Sequence, residues 1–69
     1  MIKNKKAKWQ IVGFTRMYID ARIVAGELGI AYGNNNVHLI KRGNIYFVTV
    51  RTSDKIIKRK IQSQFVLPR

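Results

Sequence analysis

The sequence predicts a small α+β domain, a helix-turn-helix followed by a C-terminal β-hairpin of two to three strands. Three observations lead there. An apolar-periodic run from Asp20 stops at Gly29, Ile45 to Thr52 alternates as a strand, and fourteen Lys and Arg face three acids for a net charge of +11. Sixty-nine residues suit one domain, and a chain of that size buries only roughly 60% of the surface its unfolded state exposes. There is no cysteine, so neither a disulfide nor a thiolate metal site supplements the core. A partner subunit is a natural source of further burial.

The elements follow in order. Residues 1–8 carry four lysines and read as a flexible basic arm, either solvated or in contact with phosphate. Residues 9–69 form the domain. Trp9, Ile11 and Val12 suit the end of a short strand that runs into a short or irregular helix. Asp20 is a suitable N-cap, because its carboxylate can accept from free amides of the first turn. Ile23, Val24, Ala25 and Leu28 then recur at three- and four-residue spacing, and Gly29 is a natural stop. Ile30-Ala31-Tyr32-Gly33-Asn34-Asn35-Asn36 composes a turn, since Gly and Asn tolerate positive φ. Val37–Arg42 fits a helix or a strand. Ile45–Thr52 is β-branched and aromatic almost throughout, the strongest strand in the chain. After a turn at Ser53-Asp54-Lys55, residues Ile57, Ile61 and Phe65 lie four apart. Ile56–Val66 is therefore a hairpin partner for the preceding strand, with a helix as the alternative.

Charge and composition exclude several functions. One His, no Cys and three scattered acids, Asp20, Glu27 and Asp54, supply no metal cluster. They also supply no nucleophile–base pair and no carboxylate dyad. No enzyme, catalytic residue, metal or cofactor is expected. The apolar run after the basic start is broken by Gln10, Thr15, Arg16 and Asp20, too short and polar for a signal peptide or span. A cytoplasmic, nucleoid-associated protein is expected, with no membrane partner. An excess of positive charge opposes compaction and is relieved by a polyanion, of which nucleic acid is the commonest.

A helix-turn-helix needs a small residue where its helices cross, and Ala25 fills that place. Gly29 stands four positions later at the turn, while Val24, Leu28 and Ile30 hold the helices together and Val37 and Ile40 form the apolar pair of the second. That pair lies about two residues late, so the asparagines must lengthen the turn.

These residues resemble the small Cro-like repressors of temperate bacteriophages. The likeness rests on Met17, Ala25-Gly26-Glu27-Leu28-Gly29-Ile30, Lys41-Arg42-Gly43, Tyr46-Phe47-Val48-Thr49-Val50, the turn at Thr52–Lys55 and Ile56–Ile61, and covers about residues 10–66. It implies a DNA-binding transcription regulator, a homodimer whose last strand pairs with its mate. Ile57, Ile61 and Phe65 would form the dimer interface. A second resemblance competes. Trp9–Thr15, Asp20–Gly29 and Ile45–Phe65 look like the β-α-β-β-α half of a LAGLIDADG homing endonuclease that lacks the acid-bearing, metal-binding helix. It implies a non-cleaving nucleic-acid binder in which Ser53–Phe65 is a helix.

The expected function is sequence-specific repression on double-stranded operator DNA, with a small basic RNA-binding structural protein as the alternative. Asn34, Asn35, Asn36 and His38 are the candidates for base edges, since Asn pairs well with adenine; the asparagines can equally serve only to make the turn. Lys41, Arg42, Lys55, Lys58, Arg59 and Lys60 are the candidates for phosphates. Trp9, Phe14, Tyr18, Tyr46 and Phe47 read as core before they read as stacking platforms.

Overall fold

The computed structural model describes residues 6–62. Over this range the chain forms β1 (Lys8–Thr15), α1 (Tyr18–Tyr32), a 3-10 turn (Asn34–Asn36), β2 (Val37–Arg42), β3 (Ile45–Thr52) and β4 (Arg59–Lys60). The strands lie in the order β2-β3-β1-β4, with α1 packed across β3 and β2. Ala21 on α1 meets Val48 and Val50 on β3 in a thin core, and all three are fully buried.

This architecture overturns the helix-turn-helix. There is one helix among the described residues, and strands dominate. Val37–Arg42, the intended second helix, pairs antiparallel with β3 from Val37↔Val50 to Arg42↔Ile45. Its side chains decide this by period two: Val37 and Leu39 are half-buried while His38 and Ile40 point away. The turn agrees, since Gly43 (φ 59) precedes Asn44 in a two-residue loop, and glycine leads such loops in type II′ hairpins.

The bounds of α1 also differ from expectation. It begins at Tyr18 with Met17 as N-cap, and Thr15 Oγ1 accepts the Met17 amide at 3.1 Å. Asp20 is buried in the first turn instead of capping it, where the helix dipole favours an acid. The helix runs past Gly29 through Ile30, Ala31 and Tyr32, which the sequence places in the turn, and stops at Gly33. The Gly33 φ of 96 admits little but glycine, and its amide donates to the Gly29 carbonyl at 2.8 Å. At Gly29 a Cβ would meet the end of the Asn34 side chain, which would have to move aside.

The expected hairpin between Ile45–Thr52 and Ile56–Val66 is absent over the described residues. β3 pairs with β2 and β1, and the chain then crosses the end of β1 to place Arg59–Lys60 parallel to it, Gly13↔Arg59 and Phe14↔Lys60. The Gln10 carboxamide fastens this crossing. It donates to the carbonyls of Thr52 (3.0 Å) and Asp54 (2.7 Å) and accepts from the Ile56 amide (3.3 Å). Ser53–Gln62 contains no helix. No helix among the described residues is long and apolar enough to cross a membrane.

Candidate nucleic-acid interface

With α1 on one face, the described residues leave the other face of the sheet open. Strand alternation assigns it Ile45, Phe47, Thr49 and Arg51 from β3, and His38, Ile40 and Arg42 from β2. β1 contributes Trp9 and Ile11, and then Phe14. A bulge between Ile11 and Gly13 makes this last placement possible. The extra residue, Val12, shifts the parity, so Phe14 joins Trp9 and not Gln10. Lys60 on β4 lies in register with Phe14.

The rings on this face are arranged in two groups. Trp9 and His38 meet edge-on with centroids 5.9 Å apart, and Trp9 is 50% exposed. Beneath them lies Thr49, buried, its hydroxyl donating to the His38 carbonyl at 2.9 Å. Phe14 and Phe47, directly paired across β1 and β3, are tilted with centroids 6.3 Å apart. Ile11 and Ile40, each 38% exposed, fill the space between. Arg42, Arg51 and Lys60 stand around the margin, all exposed. None of the three acids is on this face: Asp20 and Glu27 belong to α1, and Asp54 to the crossing after β3. At one end Phe14, Ile45 and Lys60 continue into a cleft of about 680 Å³ that Arg16, Met17 and Asp20 also line.

The residues singled out from sequence divide. Asn36 donates to the Tyr32 carbonyl at 2.7 Å and Asn34 lies over Gly29, so both build the turn that ends α1. Asn35 is exposed in that turn, outside the strands that form the open face. His38 is on the face, but as the partner of Trp9. Of the expected phosphate contacts, Arg42 and Lys60 border the face. Lys41 points to the helix side, 5.7 Å from the centre of the Tyr46 ring, which itself packs on Tyr18. Lys55 and Lys58 are exposed in the crossing, and Arg59 is exposed on β4 with the opposite parity to Lys60.

The expected dimer residues do not form one surface. Ile57 is 65% exposed in the crossing. Ile61 leans over Gly13 of its own chain, where a Cβ would come within 2.8 Å of it. Phe65 lies outside the described residues. Arg51 is the residue that sequence reasoning missed, while Trp9, Phe14 and Phe47 read first as core and lie instead on the open face. The signal lay in β3, where one alternating set ends in an arginine and the other is apolar or Thr. No group of three or more His, Asp or Glu able to hold a metal occurs among the described residues.

Neither a family model, nor a curated protein, nor a solved structure matches this chain.

Proposed function

We propose that this chain is a non-catalytic nucleic-acid-binding module and that its contact surface is the open face of the sheet. One observation carries the reading: an acid-free face of aromatic and aliphatic side chains is bordered by Arg42, Arg51 and Lys60, in a chain of net charge +11. Phosphates supply the sequence-independent part of such binding through the border cations, and the interior of the face is left for the bases. The element order over residues 8–52, strand, helix, strand, strand, agrees with the order that the LAGLIDADG likeness implies for that stretch and supports the reading. The helix that likeness implies after Ser53 has no counterpart through Gln62. The helix-turn-helix route to operator DNA has no counterpart either, and repression at a palindromic site is not carried forward.

The test compares the two sides of the sheet. Arg42→Gln and Arg51→Gln should each weaken binding to an oligonucleotide several-fold at moderate salt, measured by fluorescence anisotropy. Arg22→Gln removes the same charge on the helix side, where Arg22 donates to the Tyr18 hydroxyl at 3.0 Å, and should change binding much less. Equal losses from all three would leave only a general attraction to polyanions.

A further inference from the structure

We infer that the open face takes an unpaired polynucleotide strand, with a base stacked on the Trp9 indole. This rests on the proposed nucleic-acid reading and names the form of the partner. The argument turns on what the centre of the face consists of. A duplex offers the floor of its groove as a row of hydrogen-bond donors and acceptors, with thymine methyls the main apolar exception. Setting Ile11, Ile40 and Phe47 against that row would strip water from polar base edges and return no hydrogen bonds, which is unfavourable at every step. An unpaired strand has the opposite needs. Its bases expose π-faces that favour aromatic and apolar partners, and its phosphates turn outward to cations.

The face matches that second pattern. Trp9 is half exposed although it is held edge-on by His38, so one side of a large ring is fixed in orientation and free to stack. The pair Phe14–Phe47 lies further along the sheet, roughly 13–16 Å away at about 3.3 Å per residue of strand, with Ile11 and Ile40 between. Cations stand only at the margin, Arg51 beside Trp9, Arg42 beyond Ile40 and Lys60 beside Phe14. The cleft beyond Phe14 and Lys60 is lined by both Arg16 and Asp20, so the track ends at Phe14 and Lys60.

Trp9 is the sole tryptophan of the chain, so its emission reports on this face alone. The full chain is titrated with a ten-nucleotide oligothymidylate, a ten-nucleotide oligouridylate and a duplex of equal length, following both Trp9 emission and probe anisotropy. The expected result is quenching of Trp9 by a single strand and an affinity for it about tenfold or more above that for the duplex, the scale of one stacked base. Trp9→Leu keeps apolar contact and removes the ring; it should lower single-strand affinity about tenfold and leave duplex binding little changed. Circular dichroism of that variant confirms the fold, and Trp9→Phe should restore part of the loss. Duplex binding as tight as single-strand binding, with equal quenching, overturns the unpaired-strand inference but keeps the nucleic-acid reading. Binding that leaves Trp9 emission unchanged overturns the inference and moves the contact off the open face, and no binding to any of the three probes overturns the nucleic-acid reading. A shift of Trp9 emission with protein concentration alone, accompanied by dimer in sedimentation, assigns the face to a second copy and overturns the inference.

Discussion

The Gln10 side chain reaches the backbone of Ile56 and receives its amide at 3.3 Å, joining the middle of β1 to a segment 46 positions away. The same carboxamide donates to the carbonyls of Thr52 and Asp54, so one residue satisfies three backbone groups, one at the end of β3 and two in the crossing beyond it. Gln10→Ala should destabilise the domain by about 1–3 kcal/mol, read from urea unfolding. The Ile56 amide should also lose its protection from hydrogen exchange before the β2–β3 amides do. Unchanged protection at Ile56 would refute the clamp.

Two glycines of the helix region should respond to alanine with opposite sign. Gly26 lies mid-helix with nothing near an added Cβ, so Gly26→Ala should stabilise by about 1 kcal/mol. Gly33 has φ 96, and Gly33→Ala should destabilise by about 1–3 kcal/mol. Thermal unfolding of both variants under one condition checks the signs.

The contact between Gly29 and Asn34 predicts a coupling. Gly29→Ala alone forces the Asn34 side chain aside, whereas Gly29→Ala with Asn34→Ala removes the obstruction. A double-mutant cycle should therefore show the pair less destabilised than the sum of the singles by about 0.5–3 kcal/mol. Strict additivity would place Asn34 elsewhere.

The asparagines should be neutral for binding. Asn35 is exposed in the turn between α1 and β2, outside the strands that form the open face, so Asn35→Ala should leave oligonucleotide affinity unchanged within error. Arg51→Gln should instead reduce the slope of log affinity against log salt by about 0.7 for an unpaired strand. A slope that moves with Asn35 and not with Arg51 would reverse the assignment of the binding surface.

How much of this was legible depends on where local pattern and long-range packing agree. Ile45–Thr52 reads correctly because alternation, β-branching and the flanking turns all coincide. Val37–Arg42 stays ambiguous because six residues cannot separate a period of two from a period of 3.6, and its pairing with β3 decides it. Gly29 reads as a helix stop because sequence does not distinguish a glycine inside a helix from one at the positive φ that ends it, as at Gly33. The fate of Ile56–Ile61 rests on Gln10, a contact across 46 positions that no short window contains. The aromatic face was half-visible. Phe47 falls into the set that ends in Arg51, yet simple counting along β1 puts Phe14 with Gln10, and only the bulge reassigns it.

That bulge has a mechanical consequence. Val12 divides β1 into two short rulers, one ending near Trp9 and the other carrying Phe14, and the additional local twist at the joint fixes the angle between their rings. Lengthening or straightening the joint would alter how far apart, and how steeply inclined, the two landing places are, while every side chain on the surface stayed the same. In the proposed binding mode, selectivity for the shape of a polynucleotide would thus be set in part at Val12, a residue of the bulge and not of the face.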